Sequence, residues 1–324
     1  MNTFGHQLRV SVFGESHGEV MGVTLDGVPP GISLSIEDFL TDISRRKPGA
    51  KGTTPRIEED IPILASGIYN GFSTGAPLTI LFENKNIRSE DYEKSKAIFR
   101  PGHADFTAQQ KFKGFQDFRG GGHFSGRLTL LLVAAGVIAK KIVADIVISA
   151  EILSIGGESD LELGLQKALE RKDSVGGIIE CRCLKMPIGF GEPLFESLES
   201  ALSHAMFSIP AVKGIEFGSG FKAAEMFGSE HNDRYLDASG ATATNHSGGI
   251  SGGISNGNEL VFRIAVKPTS SIGIEQQTWN FEKNEMDELK VRGRHDLCIA
   301  LRVPVIVEAM TALVLADFSL RARD

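Results

Sequence analysis

Four short segments carry side chains able to move protons or hold anions. Gly14-Glu15-Ser16-His17-Gly18 sets an imidazole between small residues, where a ligand could reach it and where its charge can change near neutral pH. Arg100-Pro101-Gly102-His103-Ala104-Asp105 repeats the theme, with proline and glycine fixing the backbone just before a second histidine. Lys267-Pro268-Thr269-Ser270-Ser271 joins an ammonium to hydroxyls and strand-end amides, a composition that binds phosphate. Gly293-Arg294-His295-Asp296 packs a cation, an imidazole and a carboxylate into four residues, enough to set proton transfer beside an anion. Each segment has a plainer reading: a solvated loop histidine, a serine-rich turn, or a capped helix start with an incidental ion pair.

Other features widen the choice. Arg45, Arg46, Lys47, Lys51 and Arg56 read as one cationic cluster on a helix end and loop, suited to phosphate or carboxylate, or as a solvated charged face. Gly120-Gly121-Gly122 precedes an apolar pattern over 127–141, which predicts a backbone approached closely by a ligand and leading into a helix N-terminus. Gly218-Ser219-Gly220-Phe221-Lys222-Ala223 imitates a dinucleotide-binding turn, but no crossover unit with an acidic strand end follows it. There is no Gly-x-Ser-x-Gly elbow and no metal-binding pair of histidines on a helix. Cys181, Cys183 and Cys298 form neither a disulfide framework nor a zinc spacing, so no metal is expected and an organic cofactor must supply any hard chemistry.

The elements that must position these residues follow from periodicity. Strands are expected over 8–13, 61–64, 78–82, 175–184, 212–217 and 259–266, where apolar residues alternate or run briefly between turn signals. Helices are expected over 39–46, 127–141, 160–171, 192–206 and 305–320. With 324 residues, 41% of them hydrophobic, and no disordered linker, the simplest reading is one integrated α/β domain. The net charge of −7 offers nucleic acid no overall attraction, so an anionic ligand needs local cations. The most apolar stretch, 128–139, ends at Lys140-Lys141 and falls short of the roughly 20 residues that cross a bilayer. The N-terminus lacks a basic run followed by an apolar one, so a cytoplasmic location without membrane attachment is expected.

Taken in order and spacing, Phe13-Gly14-Glu15-Ser16-His17-Gly18, the 100–105 segment, Lys267 to Ile272 and the 293–296 segment resemble the signatures of the chorismate synthase family. The resemblance runs from about residue 5 to 310 and takes in Asp26-Gly27-Val28-Pro29-Pro30-Gly31, 208–214 and the glycine-dense 248–257. It implies an α/β fold of the α+β type, a single-domain β-α-β sandwich spanning 1–324, assembled as a homotetramer. It also implies a lyase that converts 5-enolpyruvylshikimate 3-phosphate to chorismate and phosphate by anti 1,4-elimination with reduced FMN, NADPH or an external flavin reductase supplying the electrons.

By motif match the resemblance makes His17, His103 and Asp296 catalytic. It gives FMN to His123, Phe124, Ser125, Pro210, Ala211, Gly252, Lys267, Pro268, Thr269, Ser270, Ser271 and Arg294, and substrate or NADP to Ser16, Arg46, Lys51 and Arg127. Where the family commonly reads Arg-Ser-Ser-Ala-Arg-Glu-Thr, this chain has His123-Phe124-Ser125-Gly126-Arg127-Leu128-Thr129, and Pro210 stands where many members have asparagine. Two readings compete with the lyase. An NAD(P)-dependent oxidoreductase would need the 218–223 turn, and a non-catalytic phospholigand-binding oligomer would have no use for Asp296.

Overall fold

Strands form where apolar side chains recur at every second residue, and in the computed structural model they build two antiparallel sheets. The structure describes residues 2–49, 53, 59–85, 97–291 and 296–322. The first sheet uses β1 (Thr3–Phe4), β2 (Arg9–Phe13), β3 (Val20–Asp26) and β4 (Ile63–Ser66). A small hairpin of β5 (Ile68–Tyr69) and β6 (Phe72–Ser73) leads to β7 (Leu78–Glu83), and the sheet order is β1-β2-β3-β7-β4. The second sheet uses β8 (Val147–Ile155), β9 (Gly177–Leu184) and β10 (Val212–Phe217). After a hairpin of β11 (Ile250–Ser251) and β12 (Ile254–Ser255) it is completed by β13 (Leu260–Val266), in the order β10-β13-β9-β8. An outlying hairpin pairs β14 (Gln276–Asn280) with β15 (Glu285–Leu289). Alternation decides which face is inward: Leu78, Ile80 and Phe82 of β7 are buried, as are Ile179, Cys181 and Cys183 of β9, while Arg182 between them faces solvent.

The helices are α1 (Glu37–Arg46), α2 (Asp105–Lys111), α3 (Thr129–Ile142), α4 (Leu161–Arg171), α5 (Leu198–Phe207), the single turn α6 (Gly228–His231) and α7 (Pro304–Arg321). Helix α3 packs on β2 and β3, α7 packs on β8 and β9, and α3 and α7 pack on each other, so helices fill the space between the sheets. This is the expected β-α-β sandwich. The two helices approach closely because α3 offers Gly136 at the crossing; a Cβ there would lie 2.3 Å from Cβ of Ala309. Helix α7 is apolar on nearly all sides, as a helix enclosed by two layers must be.

Two carboxylates of α7 are buried because each is fully partnered. Glu308 accepts from Nη1 and Nη2 of Arg45 at 2.7 Å each, from Lys140 at 3.0 Å and from the Ala150 amide at 3.1 Å. Asp317 accepts the amides of His6, Gln7 and Leu8 at 3.0, 2.7 and 2.8 Å, tying the start of the chain to its last helix.

Two local expectations are corrected. The helix read over 192–206 is broken: a 3-10 turn at Leu194–Glu196 gives way to Ser197, whose hydroxyl accepts the Ser200 amide and caps α5, so the helix restarts there. The triple glycine does not open a helix directly. Its residues adopt left-handed conformations, with φ of 58°, 83° and 53°, and the chain passes through Ser125 and a further 3-10 turn before α3 begins at Thr129. Among the described residues no helix is long and apolar enough to cross a membrane.

Candidate active site

The loop between β2 and β3 buries Ser16 and His17, at 1% and 4% exposure. The Ser16 amide donates to the Gly122 carbonyl at 3.1 Å, which fastens this loop to the triple glycine. A Cβ on Gly120 would lie 2.1 Å from Cε1 of His17, and one on Gly121 would lie 3.4 Å from Cε1 and 3.5 Å from Nε2 of His103. One bare stretch of backbone thus separates two imidazoles that are far apart in sequence. His123 tightens the assembly from the other end: its Nδ1 donates to the Gly14 carbonyl at 2.9 Å, and its Nε2 lies 3.1 Å from Oδ1 of Asn2. Phe124 is 40% exposed and tilts against Phe112, while the Ser125 hydroxyl accepts the Arg127 amide.

His103 belongs to a polar array at the start of α2. Oδ1 of Asp105 lies 2.6 Å from His103 Nδ1. Arg100 donates to Asp105 through Nε at 2.7 Å and Nη2 at 2.8 Å, and through Nη1 to Ser271 Oγ at 3.0 Å. Burial pushes the Asp105 carboxyl up, but the hydrogen bonds from Arg100 and His103 prevail and hold it well below the usual carboxylate range. Lys267 donates from Nζ to the Gly102 carbonyl and to Ser270 Oγ, both at 2.8 Å, and its own amide donates to the Ala211 carbonyl at 2.9 Å. Segments 100–105, 210–211 and 267–271 therefore meet. Gly252 does not share this crowding: it sits at the exposed β11–β12 turn, with nothing within 4 Å of where a side chain would project.

This cluster fits a phosphate-bearing cofactor such as FMN. Thr269 Oγ1 is buried and has no hydrogen-bond partner among the described residues, a costly state that a ligand oxygen would relieve. Beside it, burial and the neighbouring charge of Lys213 lower the pKa of Lys267, so an incoming anion would restore the ammonium's stability.

A second polar group lies at the base of α3. Arg46, 4% exposed, donates to Thr129 Oγ1 at 3.0 Å and to the carbonyls of Gly126 and Arg127 at 3.0 and 3.2 Å. Arg127 pairs with Asp60 at 2.6 Å and donates to Asn84 Oδ1 at 3.3 Å; Asn84 in turn donates to the Gly18 carbonyl at 2.8 Å, beside His17. Arg302 donates to Asp296 at 2.6 Å, and Asp296 is 9% exposed. Burial, then the charges of Arg302 and Arg127, bring the Arg46 pKa down to about 9 against the opposing pull of Asp60 and Asp296. Among the described residues three guanidiniums, Arg46, Arg127 and Arg302, stand with the two carboxylates Asp60 and Asp296, and this cationic group is suited to seat an anion. A cavity of about 60 Å³ opens between Arg46, Thr129, Pro210 and Arg302.

Of the cationic cluster expected over 45–56, the described residues Arg45, Arg46 and Lys47 do not share one patch. Successive residues of α1 point to different sides, so Arg45 turns to Glu308 and Asp42, Arg46 turns inward, and Lys47 reaches the Glu59 carbonyl. Lys51, Arg56, Arg294 and His295 lie outside the described residues. Sequence reasoning did not single out Arg302, Asp60 or Asn84. Arg302 follows Asp296 by six residues and could have been paired with it; Asp60 and Asn84 end loops and strands without any chemical pattern. The 218–223 glycine turn is a 3-10 turn after the edge strand β10, whose sheet neighbour β13 is antiparallel, so it lacks the parallel crossover that dinucleotide binding requires.

Comparison with known proteins places this geometry in context. The family model described as chorismate synthase matches residues 8–320. The chain is 63% identical to the chorismate synthase of Chitinophaga pinensis over 321 residues, covering 99% of this chain and 97% of that protein. It is 44% identical to that of Dehalococcoides mccartyi over 353 residues, covering 99% and 97%. A crystal structure of a chorismate synthase superposes with a TM-score of 0.75 at 26% identity, covering 98% of this chain and 93% of that one.

Proposed function

The chain belongs to the chorismate synthase family and carries that family's lyase activity in aromatic biosynthesis, and from that premise we propose that its site performs an anti 1,4-elimination on 5-enolpyruvylshikimate 3-phosphate with reduced FMN. The single observation that carries this reading is the seating of His17 and His103 on either side of Gly120 and Gly121, with a phosphate-compatible loop and the cationic group of Arg46, Arg127 and Arg302 beside them.

Arg46, Arg127 and Arg302 bind and orient the substrate's carboxylates, with Asp60 and Asp296 holding Arg127 and Arg302 in place. His17 delivers a proton or positive charge to the departing phosphate, and its burial beside Gly120 keeps water away from that bond. Lys267, Thr269, Ser270 and Ser271, with Pro210 and Ala211, would hold the cofactor's phosphate and ring edge, and His103 would govern the proton at the ring. Reduced FMN, when bound, would supply the electron-rich ring that such an elimination calls for. Asp296 assists the proton's removal from carbon, held in place by Arg302.

Four further assignments belong to the same proposal. Residues 1–324 act as one domain, supported by an apolar cluster running from Leu8 to Phe318. The protein is a cytoplasmic homotetramer, an assembly supported by exposed Phe195, Phe221 and Phe227 at 90%, 84% and 76%. Arg46 and Lys51 serve NADPH if the flavin is reduced on the protein, and an external reductase serves otherwise. Gly252, His123, Phe124 and Arg294 remain assigned to FMN.

Anaerobic turnover of purified protein with 5-enolpyruvylshikimate 3-phosphate tests the reading. Chorismate and phosphate should appear in equal amounts with chemically reduced FMN and not with oxidised FMN; a folded, FMN-binding protein that makes neither would overturn it.

A further inference from the structure

His103 touches two groups at the same ring nitrogen, and their chemistry decides where its proton sits. Nδ1 lies 2.6 Å from Oδ1 of Asp105 and 3.0 Å from Nη2 of Arg100. A contact of 2.6 Å between nitrogen and carboxylate oxygen needs a hydrogen between them, because two lone pairs at that distance repel. The carboxylate is held ionised, so the hydrogen belongs to the imidazole. Arg100 Nη2 donates one of its hydrogens to Asp105 Oδ1 at 2.8 Å, and a Nδ1 that already carries the hydrogen required by the 2.6 Å contact has no in-plane lone pair with which to accept the other. The other ring nitrogen, Nε2, faces Gly121, where a Cβ would lie 3.5 Å from it.

We propose that Asp105 is the positioning residue of His103: it fixes the hydrogen on Nδ1 and so presents Nε2, free to accept or pass a proton, toward the triple glycine. Arg100 is the clamp of the arrangement. Its Nε and backbone amide take Oδ2 of Asp105 at 2.7 and 3.2 Å, and its Nη1 reaches Ser271 Oγ at 3.0 Å. Through that bond the orientation of His103 is tied to the 267–271 loop, so the group that holds a phosphate and the group that manages a proton are set by one guanidinium. The inference rests on the proposed role of His103 for its catalytic meaning, but the position of the proton stands by itself.

The near-isosteric Asp105→Asn variant separates these. Its amide oxygen will take the place of Oδ2, where Arg100 offers two donors, and its NH₂ will then face Nδ1 and force that nitrogen to accept. Long-range ¹H–¹⁵N spectra of the full chain labelled with ¹⁵N-histidine, assigned by the resonance lost in His103→Ala, read the tautomer directly. Neutral His103 should carry its hydrogen on Nδ1 in the wild type and on Nε2 in Asp105→Asn. In turnover, Asp105→Asn should lower kcat about 100-fold with KM little changed, the scale of a misdirected general acid or base, and should have no further effect in a His103→Ala background. A wild-type spectrum with the hydrogen on Nε2 would overturn the inference, as would an equal loss of kcat in both backgrounds. If the wild type makes no chorismate, the functional reading fails while the spectra still decide this one.

Discussion

Gly120 and His17 are in such close contact that the glycine could not carry a side chain without displacing the imidazole: a Cβ would fall 2.1 Å from Cε1 and 2.3 Å from Nδ1. The relationship makes the absence of an atom part of the site, since the ring occupies the volume that any other residue would claim.

Gly120→Ala is therefore expected to cost far more activity than stability. The alanine at φ 58° costs about 1–2 kcal/mol as a left-handed residue, while moving His17 by an ångström lowers kcat about 100-fold. Steady-state rates set beside a thermal melt check this; a variant with normal kcat would remove His17 from the mechanism.

Thr269→Val replaces a buried hydroxyl that has no partner among the described residues with a methyl group of the same shape. If a cofactor oxygen uses that hydroxyl, the unliganded protein should be as stable as the parent or more so, because an unsatisfied buried group costs about 1–3 kcal/mol. FMN affinity, read by fluorescence quenching, should fall about tenfold, one charged hydrogen bond's worth. Unchanged affinity would move the phosphate elsewhere.

Arg302→Met removes one guanidinium from the group of Arg46, Arg127 and Arg302 and breaks its pair with Asp296. KM for the phosphorylated substrate should rise about 10- to 100-fold, the loss expected for a hydrogen bond between charged groups, and unfolding should be easier by about 3 kcal/mol, as for a broken buried pair. A lysine at 302 should recover part of the stability but less of the binding, since it lacks the planar fork.

Acid should unmask Glu308. Burial raises its carboxyl, but Arg45 and Lys140 outweigh that and hold the folded pKa below its ordinary value of 4.5. A lowered folded pKa means stability that is present above the unfolded value and lost as pH falls through the folded one. Glu308→Gln should thus cost about 3 kcal/mol at pH 7, and urea midpoints of variant and parent should converge below pH 4.5. A gap that stays constant to lower pH would mean that the contact acts by shape and not by charge.

What the chain discloses before folding depends on how local the cause is. Alternation gives β9 and β13 because a strand's burial is set residue by residue, and Asp160 announces α4 because a cap acts over three residues. His17 and His103 stand out because their loops are built of glycine and proline, but nothing local shows that Gly120 and Gly121 will lie between them; that follows from the docking of Ser16 on Gly122. Arg45 and Arg46 look alike in sequence. Only the turn of α1 sends one to Glu308 and the other to Thr129. Asp60 owes its place to Arg127, distant in the chain, and so left no trace in its own neighbourhood.

The late position of α7 bears on how the protein is made. The middle layer between the sheets includes the last helix of the chain, and Asp317 on that helix holds the amides of residues 6–8. During synthesis the strands of both sheets emerge before the helix that covers them, and an apolar face waits until residues 304–321 leave the ribosome. Loop closure across more than 300 residues then ties residues 6–8 to Asp317. The nascent chain is thus exposed to premature sheet-to-sheet association from the emergence of β8 until α7 follows, and shortening α7 would leave an aggregating chain and not a smaller enzyme.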